Sequence, residues 1–215
     1  MPPPPPAAQR ALDQLVIHDP DMARVLAQAG PLPWRSRTPG FPGLLQAIVA
    51  QLISNAAASA IWNRLRAVPG ALEPATLVIL PDEPLRAAGL SRPKVVHARA
   101  LATAFMDGTL NTEALGRMDD ATAIATIVSV RGLGPWTAEI YLLFALGRLD
   151  VFPAGDVALA AAAADLKQLP ARPNQAALRA LSEMWRPHRS LAARLLWHHW
   201  RFMTGRPAMD DFPAV

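Results

Sequence analysis

Residues 127–141 read IVSVRGLGPWTAEIY, from Ile127 to Tyr141. Gly132 and Gly134 bracket Leu133, so the chain is free to turn through positive φ on either side of a leucine that can plug the turn's own small core. Pro135 follows, and proline suits the first position of a helix because the N–H it lacks would be unsatisfied there anyway. Upstream, Asp119 or Asp120 can cap a helix whose Ile124, Ile127 and Val128 form one apolar face. The stretch predicts two helices joined by a tight hairpin, with backbone N–H groups at the start of the second helix suited to a phosphate oxygen. The neighbouring carbonyls of Val128, Val130 and Gly132 are candidates for holding a monovalent cation that bridges to the phosphate. Over the two glycines alone, an ordinary glycine-rich turn between helices reads the same way.

Working outward, apolar residues recur near a period of 3.6 in most segments, which predicts an all-α chain. Asp19-Pro20 caps and starts a helix over 21–29 that Gly30-Pro31 stops. Leu44, Leu45, Ile48 and Leu52 form a stripe over 43–53, and Ser54 can cap a second run through Arg66. A connector with at most a short helix is expected between about 68 and 84. Helical signals resume over 83–88, 92–106, 119–129, 135–146, 156–168, 174–184 and 188–202, and short links between them favour a compact bundle.

The 215 residues are 52% apolar and 18% charged, enough for a sizeable core. Twenty-one Lys+Arg against seventeen Asp+Glu give a formal charge of +4 and a pI near 10.6, which biases the partner towards polyanions. Lys94 and Lys167 are the only lysines, and there is no cysteine, which excludes a disulfide framework, a thiolate nucleophile, a cysteine-bound iron–sulfur cluster and a zinc ribbon. The proline run of residues 1–8 has no basic flank and no following apolar stretch, so it reads as a disordered tail rather than a signal peptide, with the folded core over 9–215. The longest uncharged stretch, 38–63, is broken by Gln46, Gln51, Ser54, Asn55 and Ser59, and no membrane span is expected. The expectation is a soluble, cytoplasmic monomer, nucleoid-associated if bacterial.

The longer pattern Gly132-Leu133-Gly134-Pro135-Trp136-Thr137-Ala138, then Ala145-Leu146-Gly147, Asp150-Val151-Phe152-Pro153 and Asp156, resembles the helix-hairpin-helix DNA glycosylase superfamily. Within it, the sequence is most similar to the 3-methyladenine DNA glycosylase II branch. The likeness extends to Phe41, Gln51-Leu52-Ile53-Ser54, Leu85 through Lys94, Trp185-Arg186-Pro187-His188-Arg189-Ser190 and Trp197. The resemblance implies an all-helical, two-lobed fold with an active-site cleft between the lobes, here approximately 40–150 and 9–39 plus 151–215. It also implies a partner, damaged double-stranded DNA, and no cofactor.

Asp156, twenty residues after Trp136, reads by itself as a helix N-cap. The resemblance makes it the catalytic carboxylate as well, and the two roles are compatible. Its charge would stabilise the cation developing on deoxyribose as the glycosidic bond breaks, and it could orient water or accept its proton. Relatives that also cut the backbone carry a Schiff-base lysine two residues after the second hairpin glycine. Trp136 stands there, so a monofunctional glycosylase acting on alkylated purines, 3-methyladenine and 7-methylguanine, is expected. The alternatives are a glycosylase for deaminated or oxidised bases and a non-catalytic DNA-binding module.

A flipped base needs aromatic walls. Trp136 and Trp197 serve either as these walls or as core tryptophans, and family alignment favours the walls. Ile140 stands where some relatives place a pocket tyrosine, with Tyr141 beside it; both join the candidate pocket. The resemblance makes Leu52 the wedge that fills the vacated stack and Gln51 a neighbour able to contact the opposite strand, although Leu52 also falls on its helix's apolar stripe. Arg131, Gly132, Leu133, Gly134, Arg189 and Ser190 are candidate DNA-backbone contacts. Arg172, Arg179, Arg186, Arg194, Arg201 and Arg206 add positive charge that reads either as phosphate-binding or as a solvated face. His188, His198 and His199 lack the spacing of a metal site.

Overall fold

The computed structural model describes residues 4–205, and every regular element among them is helical. In chain order they are α1 (Pro6–His18), α2 (Pro20–Ala29), α3 (Phe41–Ala50), α4 (Asn55–Arg66), α5 (Pro74–Ile79), α6 (Asp82–Ala87), α7 (Arg92–Met106), α8 (Thr112–Arg117), α9 (Asp120–Val128), α10 (Pro135–Phe144), α11 (Val157–Leu166), α12 (Gln175–Ser182) and α13 (Arg189–Thr204), with one 3-10 turn at Glu183–Trp185. No helix among the described residues is long and apolar enough to cross a membrane. The chain divides into two compact units, one from residues up to Arg35 together with those from Gly147, the other spanning Ser36–Leu146.

In the first unit, Ala8, Ala11, Leu12 and Leu15 form the buried face of α1, which packs on α2 and α13. That face begins inside the stretch expected to be a disordered tail. Pro6 opens the helix as an N-terminal proline can, and Ala8 is only 3% exposed, so burial and proline pre-organisation together order this segment; residues 1–3 lie outside the described residues. Asp19 caps α2 by accepting the Asp21 N–H at 3.1 Å, and Gly30 at φ 80° ends it. The Ala-rich α11 lies against α13, where Leu159, Ala160, Ala162, Ala163 and Leu166 meet a helix that buries Leu191, Ala192, Ala193, Leu195 and Leu196. Small side chains allow the two helices to approach closely, and each fully buried leucine contributes about 1.5–3 kcal/mol.

A buried ionic cluster ties this unit together. Lys167 Nζ, just past α11, donates to both Asp19 oxygens at 2.7 Å and to Asp21 Oδ2 at 2.9 Å, while Trp185 Nε1 donates to Asp19 Oδ2 at 2.7 Å. Burial alone would raise the Asp19 pKa, but these two donors and the Lys167 charge outweigh it and hold the carboxyl below its ordinary range.

In the second unit α3 is buried almost all round and packs against α4, α7 and α10. It ends at Ala50, three residues short of the apolar stripe read from the sequence, and Ser54 caps α4 through the Ala57 N–H at 3.3 Å. Three six-residue helices, α5 within the expected connector, α6 and α8, belong to this unit as well. Arg99 Nη1 and Nη2 donate to the Val78 and Leu80 carbonyls at the end of α5, which helps fix α5 on α7.

Candidate active site

Asp156 stands at the junction of an anchored loop and α11. Val151 N–H donates to Ser190 Oγ at 2.9 Å, Ser190 Oγ–H returns a bond to Val151 O at 2.8 Å, and Ser190 N–H donates to Leu149 O at 3.0 Å. Arg189 Nε donates to Asp150 Oδ1 at 2.9 Å and Nη2 to Asp150 O at 2.8 Å. The Phe152 ring stacks at a tilt on Trp185, centroids 5.6 Å apart. Asp156 N–H then closes a turn onto Pro153 O at 2.9 Å. On this base Asp156 Oδ1 accepts three bonds: Ala158 N–H at 2.9 Å, Leu159 N–H at 3.0 Å and Trp197 Nε1–H of α13 at 3.2 Å. Three donors on one oxygen select one rotamer and hold the carboxylate's charge at the positive end of α11. Asp156 and Trp197 are both half-buried, so the pair is rigid yet reachable.

The second unit carries the hairpin. Asp119 caps α9 through the Thr122 N–H at 3.0 Å, and Leu133 is 4% exposed, plugging the turn as its flanking glycines suggested. The two glycines differ. Gly132 has φ 91°, and a Cβ on it would lie 2.2 Å from His97 Cγ, so both backbone and packing require glycine. Gly134 has φ −94°, caps α10 with no side chain, and has nothing within 4 Å of where a Cβ would stand. The fold itself does not need glycine there. The N–H groups of Gly132 and Gly134 donate to no group among the described residues, which leaves two amides for an anion beside the N-terminus of α10. Arg131 is exposed next to them.

Three residues after α3 make the third feature. Gln51 Nε2 donates to Gly132 O at 3.0 Å and to Thr137 Oγ1 at 3.3 Å, tying the turn to the hairpin. Lys94 Nζ, from α7, donates to Val49 O at 2.7 Å and Gln51 O at 2.9 Å, and partial burial lowers its pKa from the usual lysine value. Beyond this clamp Leu52 adopts φ 59°, a left-handed backbone that non-glycine residues rarely take, with a relative exposure of 103%. The reading of Leu52 as part of the α3 core stripe is thus corrected: the helix stops before it, and the side chain projects into solvent.

The family model for HhH-GPD superfamily base excision DNA repair proteins matches residues 45–187. The chain belongs to this superfamily. DNA-3-methyladenine glycosylase 1 of Schizosaccharomyces pombe is 31% identical over 161 residues, covering 73% of this chain and 71% of its own. Among solved structures, 3-methyladenine DNA glycosylase (Mag1) of the same yeast in complex with abasic DNA is similar at a TM-score of 0.79 and 29% identity, over 89% of this chain and 95% of that one. A DNA-3-methyladenine glycosidase from Bacillus halodurans is similar at a TM-score of 0.79 and 29% identity, over 91% of each chain.

For an HhH-GPD chain, several expected DNA-facing or pocket residues turn out to be internal. Tyr141, 2% exposed, accepts the Gly40 N–H on its hydroxyl at 2.7 Å; burial raises its pKa, opposed by that bond. Ile140 is 3% exposed. Both pack the second unit, because α10 is buried from Thr137 through Leu143, Glu139 included, while Trp136 in its first turn remains 37% exposed. Arg189 and Ser190, expected at the DNA backbone, are engaged within the chain: the guanidinium is held by Asp150 and by Glu183 Oε1 at 2.8 Å, and the hydroxyl by Val151. Their task is to hold the loop that delivers Asp156. The Gln51 side chain is tied to the hairpin, and the Leu133 side chain is buried. Arg194 is buried over the Trp34 ring at 4.1 Å, where desolvation lowers its pKa, and Arg186 pairs with Glu183 and Asp150. Arg206 lies outside the described residues. Sequence reasoning missed the Lys94 clamp: its carbonyl partners stand 45 and 43 residues away, and only packing brings them together.

Proposed function

We propose that this chain hydrolyses the N-glycosidic bond of alkylated purines, 3-methyladenine and 7-methylguanine, in duplex DNA as a monomer in the cytoplasm, leaving an abasic site without cutting the strand. The observation that carries the reading is the carboxylate of Asp156, immobilised by three donors on Oδ1. As the bond breaks, its electrons leave with the purine, which an added methyl group already renders cationic and therefore a good leaving group. Positive charge develops at the anomeric carbon and is stabilised by the fixed negative charge. Water attacks that carbon, and Asp156 accepts the proton. Trp136 and Trp197 offer indole faces to the extruded base, worth about 0.5–2 kcal/mol for a cation over a ring. The hairpin amides of Gly132 and Gly134 and the Arg131 guanidinium hold the phosphate backbone, and Leu52 enters the vacated stack. The carbonyls of Val128, Val130 and Gly132 form a hard-oxygen donor set of the kind a monovalent cation takes. Those of Val130 and Gly132 already accept the Leu133 N–H at 3.1 Å and Gln51 Nε2 at 3.0 Å, each keeping a second lone pair.

The absence of a strand-cleaving step is supported by both lysines being engaged: Lys94 by two carbonyls and Lys167 by two carboxylates. Neither amine is presented as a nucleophile.

Asp156→Asn tests the reading, since asparagine is as good an N-cap and leaves the fold intact. Release of bases from alkylated duplex, followed by chromatography, is expected to fall at least about 100-fold while binding to an abasic duplex persists. Unchanged release would remove Asp156 from the chemistry. Borohydride added to the wild-type reaction is expected to trap no covalent protein–DNA adduct. A panel of duplexes carrying single deaminated or oxidised bases separates the alkylpurine assignment from those substrates.

A further inference from the structure

Leu52 is exposed and strained, yet nothing in its own side chain holds it in place. The constraint comes from the preceding residue. Gln51 is gripped at two points: its side-chain amide donates to Gly132 O and Thr137 Oγ1, and its carbonyl accepts Lys94 Nζ at 2.9 Å. The same ammonium takes Val49 O at 2.7 Å. These two carbonyls belong to the C-terminal end of α3, where the last C=O groups of a helix have no partner within it. An ammonium with three donors and a flexible stem can satisfy two at once, and by fixing the Gln51 carbonyl it fixes the peptide plane from which Leu52 departs. Without that charge the helix end is free to fray or to continue as an ordinary right-handed turn, and either change would fold Leu52 back towards its apolar stripe.

We propose that Lys94 is a positioning residue for base extrusion: its ammonium clamps the Val49 and Gln51 carbonyls and thereby holds Leu52 in the left-handed conformation that inserts into the duplex. The proposal rests on the wedge reading of Leu52 and can fail separately from it.

The test uses the full chain and 7-methylguanine placed either in a paired duplex or in a one-base bulge, where little stacking opposes extrusion. Lys94→Met, with the stem kept and the donors removed, is expected to slow single-turnover release from the paired duplex by about 10- to 100-fold through misplacement of the wedge, with release from the bulge nearly unchanged. Lys94→Arg, which can also reach two carbonyls, is expected to recover most of the lost rate. In a Leu52→Ala background, Lys94→Met is expected to add nothing further, because both changes remove the same insertion. A merely structural role would slow both substrates alike and combine additively with Leu52→Ala; either outcome overturns the clamp. If Leu52→Ala itself leaves paired-duplex release unchanged, the wedge reading falls first. Fluorescence of 2-aminopurine beside a tetrahydrofuran abasic analogue reads insertion without chemistry, and a signal from Lys94→Met equal to that of the parent would also overturn the proposal. Should Lys94→Met fail to fold, Lys94→Gln, which keeps a shorter donor, carries the same comparison.

Discussion

The hairpin shows how one residue type serves two ends within three positions. Gly132 is required by the protein, since its φ of 91° and the His97 ring at 2.2 Å from a built Cβ exclude any side chain. Gly134 is surrounded by open space at an ordinary φ, so the chain itself leaves room for a side chain there, and the proposed phosphate contact is what a Cβ would obstruct. Gly132→Ala is therefore expected to lose stability by about 1–2 kcal/mol from the backbone alone, with the ring clash added. Gly134→Ala should lose no more than about 1 kcal/mol, the difference between glycine and alanine as caps, yet bind abasic duplex more weakly. Urea denaturation and fluorescence anisotropy separate the two effects, and equal losses of stability would contradict the distinction. The G-x-G pattern was legible in the sequence, but which glycine the fold itself requires was not, because the discriminating contact is with His97, 35 residues upstream of Gly132. Asp156 was legible as an N-cap, and the proposed catalytic role is compatible with that position.

Among the elements, several that open on a capping side chain read true. Asp19, Ser54, Asp119 and Asn174 each cap the helix expected to follow. α1 was hidden because a proline run ordinarily signals irregular chain, and its order comes from burial against α2 and α13, which no local pattern reports. The end of α3 was misplaced because Leu52 continues the helical period, while the clamp that ends the helix comes from α7. The Asp19–Lys167–Trp185 cluster was equally invisible, joining residues 148 and 166 positions apart, and it sets an acid limit on the first unit. The Asp19 pKa is depressed by folding, so its contribution is fully present above its ordinary value of 3.8 and is lost as pH falls through the folded value. Denaturation midpoints measured from pH 6 downward should drop across that window. Asp19→Asn should be less stable by about 1.5–3 kcal/mol at neutral pH, since Asp21 still pairs with Lys167, and its midpoint should depend less on acid.

For the whole molecule, the formal charge of +4 overstates what is offered to DNA. Arg186 and Arg189 are occupied by carboxylates, Arg194 is buried, and Lys167 is held by two aspartates. Composition reveals the number of cations but not their commitments. Arg131→Ala is expected to reduce the slope of log affinity against log salt by about 1, as one phosphate contact would. Arg189→Ala should leave that slope unchanged and instead cost about 2 kcal/mol of stability through the lost bonds to Asp150 and Glu183. The salt titration and a melting curve on each variant decide between them. Finally, a leucine kept erect on a left-handed peptide before any duplex arrives means that its conformational cost, about 1–2 kcal/mol, was met when the chain folded. On the proposed wedge reading, Leu52 would enter a duplex with no rearrangement at this turn, and how readily each base pair opens would govern where insertion succeeds.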